Sequence, residues 1–312
     1  MREILPCSRD RTHCGPCRRD TFRARAAVGA AARRYHHAVA SRRHLIITGL
    51  GAVLMCTSLV AAQQIWVGGG FSRFAPRFAK LEDFDGSFLY CRGFFGSRFG
   101  RGGWTTDYPG ADNNFSIRLA ELTRIPVKFD VNRQPHHVVV RLTDPVLYRC
   151  PMLFMENVET LRFSEGEVTS LRDYLLKGGF LWVDDFWGSA AWENWAREFS
   201  RVLPPGEFPI FDVPISHPIM HTVYDVDSFL QVSAISFWYR SGGGVSERGY
   251  DSAEVHYRGV QDSRGRLMAL MTHNTDVADT WEREGENAEY FNLFSPRGYA
   301  IGVNVVVYAL TH

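Results

Sequence analysis

Ser164–Ser189, with the sequence SEGEVTSLRDYLLKGGFLWVDDFWGS, is the stretch that decides the fold class. It opens with Ser164 and Glu167, which have the three-residue spacing of a helix capping box. The apolar residues that follow recur at helical spacing and lead to a Gly-Gly pair, which suits the left-handed turn after a helix. The next run, FLWV, is apolar throughout, as is typical of a parallel strand covered on both faces. The stretch therefore predicts a helix followed by a buried strand of an α/β protein.

Two aspartates, Asp184 and Asp185, stand where this strand should end. Ligands of open α/β sheets bind beyond the carboxyl ends of the strands, so both aspartates are candidate site residues. Adjacent residues of a strand point to opposite faces, and the two side chains share one site only if the strand has ended at Asp184. The alternative is that one caps the next helix or pairs with an arginine while the other is solvated.

Strand and helix patterns alternate from Ser87 to Val202, which predicts a doubly wound, mostly parallel sheet. Strands are expected at 87–91, 137–142, 151–155, 180–183, 209–213, 255–260 and 267–273. Helices are expected at 111–122 and after Ser189, which is a candidate cap. The last segment, 299–311, is interpreted as a buried helix, although its VVVY run is also compatible with a strand. Within it, Asn304 is expected to bond to buried backbone groups.

The first 44 residues differ in charge from the rest of the chain. They contain eleven Arg and three acidic residues, whereas the remainder contains 24 basic and 31 acidic residues, for an overall net charge of +1. A basic head on an acidic body is typical of targeting and argues against a nucleic-acid-binding domain. We therefore expect 1–44 to be a disordered leader. Its Cys14-Gly-Pro-Cys17 pair has neither the further ligands of a zinc site nor the α/β surroundings of a redox dithiol.

An uncharged apolar run, 45–62, follows Arg42 and Arg43. Basic residues, an apolar core and small residues before an exit at Ala62 form the layout of a signal peptide. The paired arginines resemble a bacterial twin-arginine signal. The alternative is an uncleaved anchor with membrane contact through 45–62, although the run is at the short end for a membrane span. Both interpretations predict an exported protein of the periplasm or cell envelope.

The rest of the chain is long enough for one large domain, and we expect 63–80 to be a linker and 81–312 a single α/β domain. Cys91 and Cys150 fall in this domain. They could pair in an oxidising compartment, but two cysteines in a sequence do not establish that they are close in space.

Four segments together resemble a known family: LRDYLLKGGFLWVDDFWG, SHPIMHTVYDVD, RLMALMTHNTDVADTWE and GVNVVVYALTH. They are similar to a bacterial family of uncharacterised domains, domain of unknown function 4159, over about Phe78 to His312. The resemblance implies a class I glutamine amidotransferase-like fold, which is a flavodoxin-like three-layer α/β/α sandwich with a mostly parallel sheet. The family has no established activity to carry over.

An amidotransferase of this fold needs a Cys on a strained turn between strand and helix, supported by a His and a carboxylate. The equivalent turn should follow Met152–Met155, where the chain reads Glu-Asn-Val-Glu and offers neither Cys nor Ser. The chain thus departs from the catalytic pattern, and we do not expect amidotransferase activity.

Carboxylates recur at the predicted strand ends, because Asp276 and Asp279 follow the strand at 267–273. Such a group suits Mg²⁺ or Ca²⁺ binding, or general acid–base catalysis. The candidate catalytic residues are Asp184, Asp185, His273 and Asp276. The wider candidate ligand-binding set is Asp184, Asp185, His217, Asn274, Asp276, Asp279 and Trp281. His217 precedes a proline and also fits an ordinary turn, and 274–276 also fits an Asx turn.

Two functions follow from these patterns. The first is a non-catalytic binding or assembly module whose partner is a protein or a small molecule, favoured by the missing nucleophile. The alternative is a hydrolase acting on a carbohydrate or phosphate ester through a carboxylate-rich site with a divalent metal as cofactor. Convergence of Asp184, Asp185, Asp276 and His273 in one cleft would favour the hydrolase, whereas scattering of these side chains or their pairing with arginines would favour the binding module.

Overall fold

A seven-stranded sheet forms the centre of the protein in the computed structural model, which describes residues 75–97 and 103–312. The strands are β1 Tyr90–Phe94, β2 His137–Arg141, β3 Met152–Glu156, β4 Phe180–Asp184, β5 Phe211–Asp212, β6 His256–Gln261 and β7 Leu267–His273. Their order is β2-β1-β3-β4-β7-β6-β5. The first five in this order are parallel, and β6 and β5 extend the sheet in antiparallel fashion. The predicted mostly parallel α/β architecture is confirmed.

Helices cover both faces of the sheet. They are α1 Gly110–Leu122, α2 Glu165–Leu176, α3 Gly188–Val202, α4 Ile235–Ser241, α5 Asp279–Glu282 and α6 Ala288–Thr311. Buried residues of α2 and α3 form one hydrophobic core with alternate strand residues, and those of α1, α4, α5 and α6 form a second core with the others. The uninterrupted apolar strands therefore reflect burial on both sides.

The predicted capping box is present at the start of α2. The Glu167 carboxylate accepts a hydrogen bond from the Ser164 backbone N–H at 2.8 Å, and the Ser164 hydroxyl accepts one from the Glu167 N–H at 3.3 Å. The cap expected at Ser189 is wrong, because α3 already begins at Gly188. The Ser189 N–H instead donates to Asp251 Oδ2 at 3.0 Å.

The last segment is helical, as predicted, and its VVVY run lies inside α6. Asn304 bonds to buried backbone, as expected: Oδ1 accepts from the N–H groups of Val223 and Tyr224, and Nδ2 donates to two carbonyl groups in the same loop. Within the described residues, none of the helices combines the length and apolar character needed to cross a membrane.

Cys91 in β1 and Cys150 before β3 form a disulfide. Phe78 and Ala79 fall in the expected linker, yet they lie along β2. Phe78 forms a parallel bridge with Val139, and the Ala79 N–H donates to the carbonyl oxygen of Val139. The leader at 1–44, the run at 45–62 with Arg42, Arg43 and Ala62, and linker residues 63–74 lie outside the described residues.

Candidate carboxylate site

A row of polar side chains crosses four neighbouring parallel strands near their carboxyl ends. Arg92 in β1, Glu156 in β3, Asp184 in β4 and Thr272 in β7 are all fully buried. Each stands two residues after an apolar side chain of the α1–α6 core, and alternation along a strand places it on that same face. Glu156 is paired in register with Asp184. The sheet therefore fixes two carboxylates side by side, with Thr272 donating a hydrogen bond to Asp184.

The chain turns sharply just after each of the three central strands. Asn157 follows β3, Asp185 follows β4 and Asn274 follows β7, and their φ angles are 50°, 49° and 64°. Asn and Asp tolerate this left-handed conformation better than other residues with a side chain. The turn ends β4 at Asp184, which meets the condition for Asp184 and Asp185 to lie near the same site.

Two loops bring further carboxylates over this edge. The loop after β7 supplies Asp276, the short helix α5 that follows it supplies Asp279 and Glu282, and the loop before α1 supplies Asp107. Asp276 Oδ1 accepts a hydrogen bond from the Asp279 N–H at 3.0 Å. Asp279 Oδ2 accepts from the Ile235 N–H at 2.6 Å and from the Tyr290 hydroxyl at 3.1 Å. These bonds hold the loop in place.

The carboxylates fall into two sets with the geometry of cation ligands. One set is Glu156, Asp184 and Asp276, and the other is Asp107, Asp276 and Asp279. In each set, one oxygen from each residue lies within 4.8 Å of the others. Mg²⁺ and Ca²⁺ take oxygen ligands at about 2.0–2.6 Å, so oxygens on one ion are separated by at most about 5 Å. Either set is thus compact enough to hold a divalent cation.

Arg92 compensates only part of the negative charge. Its guanidinium donates to Asp112 at 2.6 Å and also pairs with Glu156 Oε2, and all three side chains are buried. Burial opposes the charge on Arg92, but the two carboxylates outweigh it and raise its pKa well above the ordinary value. At the far side, Arg283 contacts Glu282 at 2.6 Å and Asp279 at 3.4 Å.

Burial and mutual repulsion raise the pKa values of these carboxyl groups. Burial raises the pKa of Asp184 and that of Asp279 to about 7 each, and that of Glu282 to about 10. The pKa values of Asp185 and Asp276 are raised well above the ordinary range by burial and by neighbouring carboxylates. The cluster therefore binds protons near neutral pH unless another cation replaces them.

Some carboxylate oxygens have no hydrogen-bond donor. Glu156 Oε1 and Asp107 Oδ2 are buried, and neither has a hydrogen-bond partner among the described residues. A buried acceptor without a partner costs about 1–3 kcal/mol, and more when it is charged. The other members of their ligand sets are acids, so a proton shared between carboxyl groups or a bound cation can satisfy these oxygens.

The structure brings together four of the acids predicted from the sequence, Asp184, Asp185, Asp276 and Asp279, but not His273, so the four-residue convergence expected of a hydrolase is met by its three aspartates only. The His273 side chain lies on the opposite face of the sheet from Thr272, against Phe186, with Nε2 3.0 Å from the carbonyl oxygen of Gly188. Burial lowers its pKa to about 4. His273 is thus a neutral residue of the other core.

Three other predicted ligand residues lie elsewhere or have structural contacts. His217 Nδ1 accepts from the Ile219 N–H at 3.2 Å, in a cleft beside Gly178, near the amino end of β4. The Asn274 amide connects two loops by accepting from the Gly188 N–H at 2.8 Å and donating to the Glu254 carbonyl at 2.7 Å. Trp281 is fully buried among aromatic rings rather than forming an exposed wall.

Sequence reasoning missed Arg92, Asp107 and Glu156. For Arg92 and Glu156 a signal exists: each follows an aromatic residue by two positions at the end of a buried strand, as Asp184 follows Trp182. Asp107 gives no such signal because it lies in a loop and reaches the site only through tertiary packing. The turn after β3 has the strained conformation of a nucleophile position, yet Asn157 occupies it.

The fold and the site define an α/β protein with buried carboxylates at the carboxyl edge of a mostly parallel sheet. The sequence profile of the family described as "Domain of unknown function (DUF4159)" matches residues 96–310. The chain therefore belongs to this family, which confirms the resemblance of the four segments quoted above. A search of curated proteins found no match.

Proposed function

We propose that the protein is a divalent-cation-dependent hydrolase. The convergence of carboxylates at the ends of β3, β4 and β7 carries this proposal. It favours a bound cation over the purely structural explanations of these acids, because Glu156 Oε1 and Asp107 Oδ2 have no donor within the described residues. A cation in either set would satisfy the oxygen of that set and offset the mutual repulsion of the acids.

A cation at this position has a chemical use. Bound divalent cations lower the pKa of a coordinated water and so supply hydroxide near neutral pH. Asp184 and Asp279 belong to the ligand sets, and a bound cation would hold both carboxylates in the ionised form. Asp107 is only half-buried, so the cluster is closest to solvent there, where we expect substrate to enter.

The strand order supports a flavodoxin-like assignment. Numbered along the chain, the five parallel strands follow the order 2-1-3-4-5, which is the flavodoxin-like order, with helices on both faces. We propose that the domain is a three-layer α/β/α sandwich of this kind. Its carboxyl edge is where such folds bind ligands, and the carboxylates lie there.

We also propose that the protein works outside the cytoplasm. The layout of Arg42, Arg43 and the run to Ala62 is that of an export signal, with an uncleaved anchor as the alternative. The disulfide between Cys91 and Cys150 suits an oxidising compartment. Replacing both arginines with Lys should retain the protein in the cytoplasm, and unchanged export of the variant would contradict the twin-arginine route.

A non-catalytic binding module is the second candidate. Asn157 favours it, because the strained position where related folds hold a nucleophile has none. In this case the cation would stabilise a surface that binds a protein or a small molecule. The two candidates share the cation and differ in turnover.

The test is hydrolysis of p-nitrophenyl phosphate, bis(p-nitrophenyl) phosphate and p-nitrophenyl glycosides by the purified protein, with Mn²⁺ or with EDTA. We expect Mn²⁺-dependent turnover that Asp276→Asn abolishes. Asp225→Asn is the matched control, since that side chain is 96% exposed and pairs with His221 at the surface. A Mn²⁺-induced rise in Tm without turnover would favour the binding module, and the absence of any Mn²⁺ effect would refute both.

A further inference from the structure

The two ligand sets of the carboxylate site share one residue. Asp276 belongs to the set with Glu156 and Asp184 and also to the set with Asp107 and Asp279. A carboxylate has two oxygens, and Asp276 Oδ1 accepts one hydrogen bond, from the Asp279 N–H. Asp276 is thus common to both sets, and its two oxygens could each ligate one cation.

We propose that the site binds two divalent cations bridged by Asp276, and that the substrate is a phosphate ester. This proposal rests on the proposed function and adds the number of cations and the substrate class. Glu156 and Asp184 would hold one cation against the strand ends, and Asp107 and Asp279 would hold the other towards solvent.

Charge supports two cations rather than one. The five carboxylates of the two sets carry up to five negative charges, while Arg92 is shared with Asp112 and Arg283 is shared with Glu282. One divalent ion would leave a large excess of buried negative charge, whereas two nearly neutralise the site. Uncompensated buried charge costs several kcal/mol per ion, and either bound protons or a second cation would offset it, so the second ion competes with protons for this site.

Glu156 points independently to a ligand. Its side chain has no exposed surface, Oε2 pairs with Arg92, and Oε1 has no hydrogen-bond partner among the described residues. Asp107 Oδ2, in the other set, is unpaired in the same way. Each set therefore contains one buried oxygen that a cation would satisfy.

Two adjacent cations suit phosphoryl chemistry in particular. Such pairs lie about 3.5–4 Å apart and stabilise the attacking and leaving oxygens of an in-line displacement. Water loses a proton and its oxygen forms the new bond to phosphorus. The ester P–O bond breaks, and the leaving oxygen takes a proton, so that an alcohol and a phosphate result. No oxidant or reductant is needed.

The number of metal ions bound per chain distinguishes the binuclear centre from the proposed hydrolase function on which it rests. Equilibrium dialysis of the full protein against Mn²⁺, followed by atomic emission analysis, should give two ions per chain. The electron paramagnetic resonance spectrum should show two coupled Mn²⁺ ions. One ion per chain, or two uncoupled ions, would overturn the binuclear centre and leave the hydrolase intact, whereas zero ions would overturn both.

Variants assign the ions to the two sets. Asp184→Asn and Asp107→Asn should each leave one ion with an uncoupled spectrum, and Asp276→Asn should lose the coupling and most of the binding. Asp184→Asn is preferred to Glu156→Gln as the variant of its set. It keeps the shape of the side chain, and it can still accept a hydrogen bond from the Ala278 N–H. Two coupled ions in Asp276→Asn would overturn the bridge. Phosphate-ester turnover is expected, and turnover of glycosides alone would overturn the substrate class.

Discussion

Thr272 and His273 are neighbours in β7, yet they belong to opposite sides of the sheet. Thr272 donates to the Asp184 carboxylate, whereas the His273 ring packs on Phe186 and lies 5.5 Å from the ring of Trp192. A shift of a single residue in a strand exchanges the two faces. The same local sequence thus contributes one residue to the carboxylate site and one to the other core.

His273 should make stability depend on pH in the acid range. Burial holds its pKa at about 4 in the folded protein, below the ordinary value of 6.5, while Arg258, His256 and Asp251 also act on it. As pH falls from about 6.5 towards 4, the unfolded chain takes up a proton that the folded chain does not. Stability is therefore lost over this window, by up to about 3 kcal/mol.

The check is chemical denaturation at pH values from 4 to 7, with His273→Gln beside the wild type. The variant has no titrating ring, so its stability should fall less over this window. His221→Gln is the control, because that ring is partly exposed and pairs with Asp225 at the surface. Parallel pH profiles for wild type and His273→Gln would contradict the assignment.

The last helix, α6, is attached to the loop at 218–224 through one side chain. Asn304 has no exposed surface, and its amide makes four hydrogen bonds with the backbone of this loop. In the described part of the chain, no strand pairs with this loop. The side chain of Asn304 therefore makes the hydrogen bonds that a neighbouring strand would otherwise make with the backbone of the loop. This explains a polar residue within a run that is otherwise apolar.

Asn304→Leu should destabilise the protein by about 2–4 kcal/mol, since several buried backbone groups would lose their partners at about 1–3 kcal/mol for each one left unsatisfied. Differential scanning calorimetry measures the change. Asn292→Leu on the same helix is the matched control, because Asn292 is exposed. Equal effects of the two substitutions would show that the hydrogen bonds of Asn304 contribute nothing beyond helix propensity.

At the scale of the whole molecule, the disulfide connects β1 to the start of β3 across 59 residues. The segment between these cysteines contains α1 and β2, together with the loop that carries Asp107. Cross-linking such a long segment restricts the unfolded chain more than the folded one. The bond therefore stabilises the folded domain relative to its unfolded chain.

Cys91→Ala combined with Cys150→Ala should lower the free energy of unfolding by about 4 kcal/mol, by the chain-entropy relation for a loop of this length. Urea denaturation with and without a reductant measures it. The reductant should destabilise the wild type and leave the double variant unchanged, which also controls for the cysteines of the leader. A wild type that is insensitive to reductant would contradict a stabilising role for the disulfide.

Much of the fold was predictable because its signals are local. The capping box of α2, the apolar strands β3, β4 and β7, and the helical character of α6 each depend on residues within a few positions of one another. The cap predicted at Ser189 was wrong for a non-local reason. The Ser189 N–H bonds to Asp251, which is distant in the sequence and which no local pattern indicates.

The sequence by itself determined that this is an α/β protein and that acids follow two of its strands, because periodicity and strand-end composition are properties of neighbouring residues. Only the tertiary structure decided which acids meet. Strand register places Glu156 beside Asp184. The loop before α1 brings in Asp107, which lies 49 positions before Glu156 in the sequence. Asp276 belongs to both sets of cation ligands. Contacts over such separations depend on sheet order and packing, which no local pattern encodes.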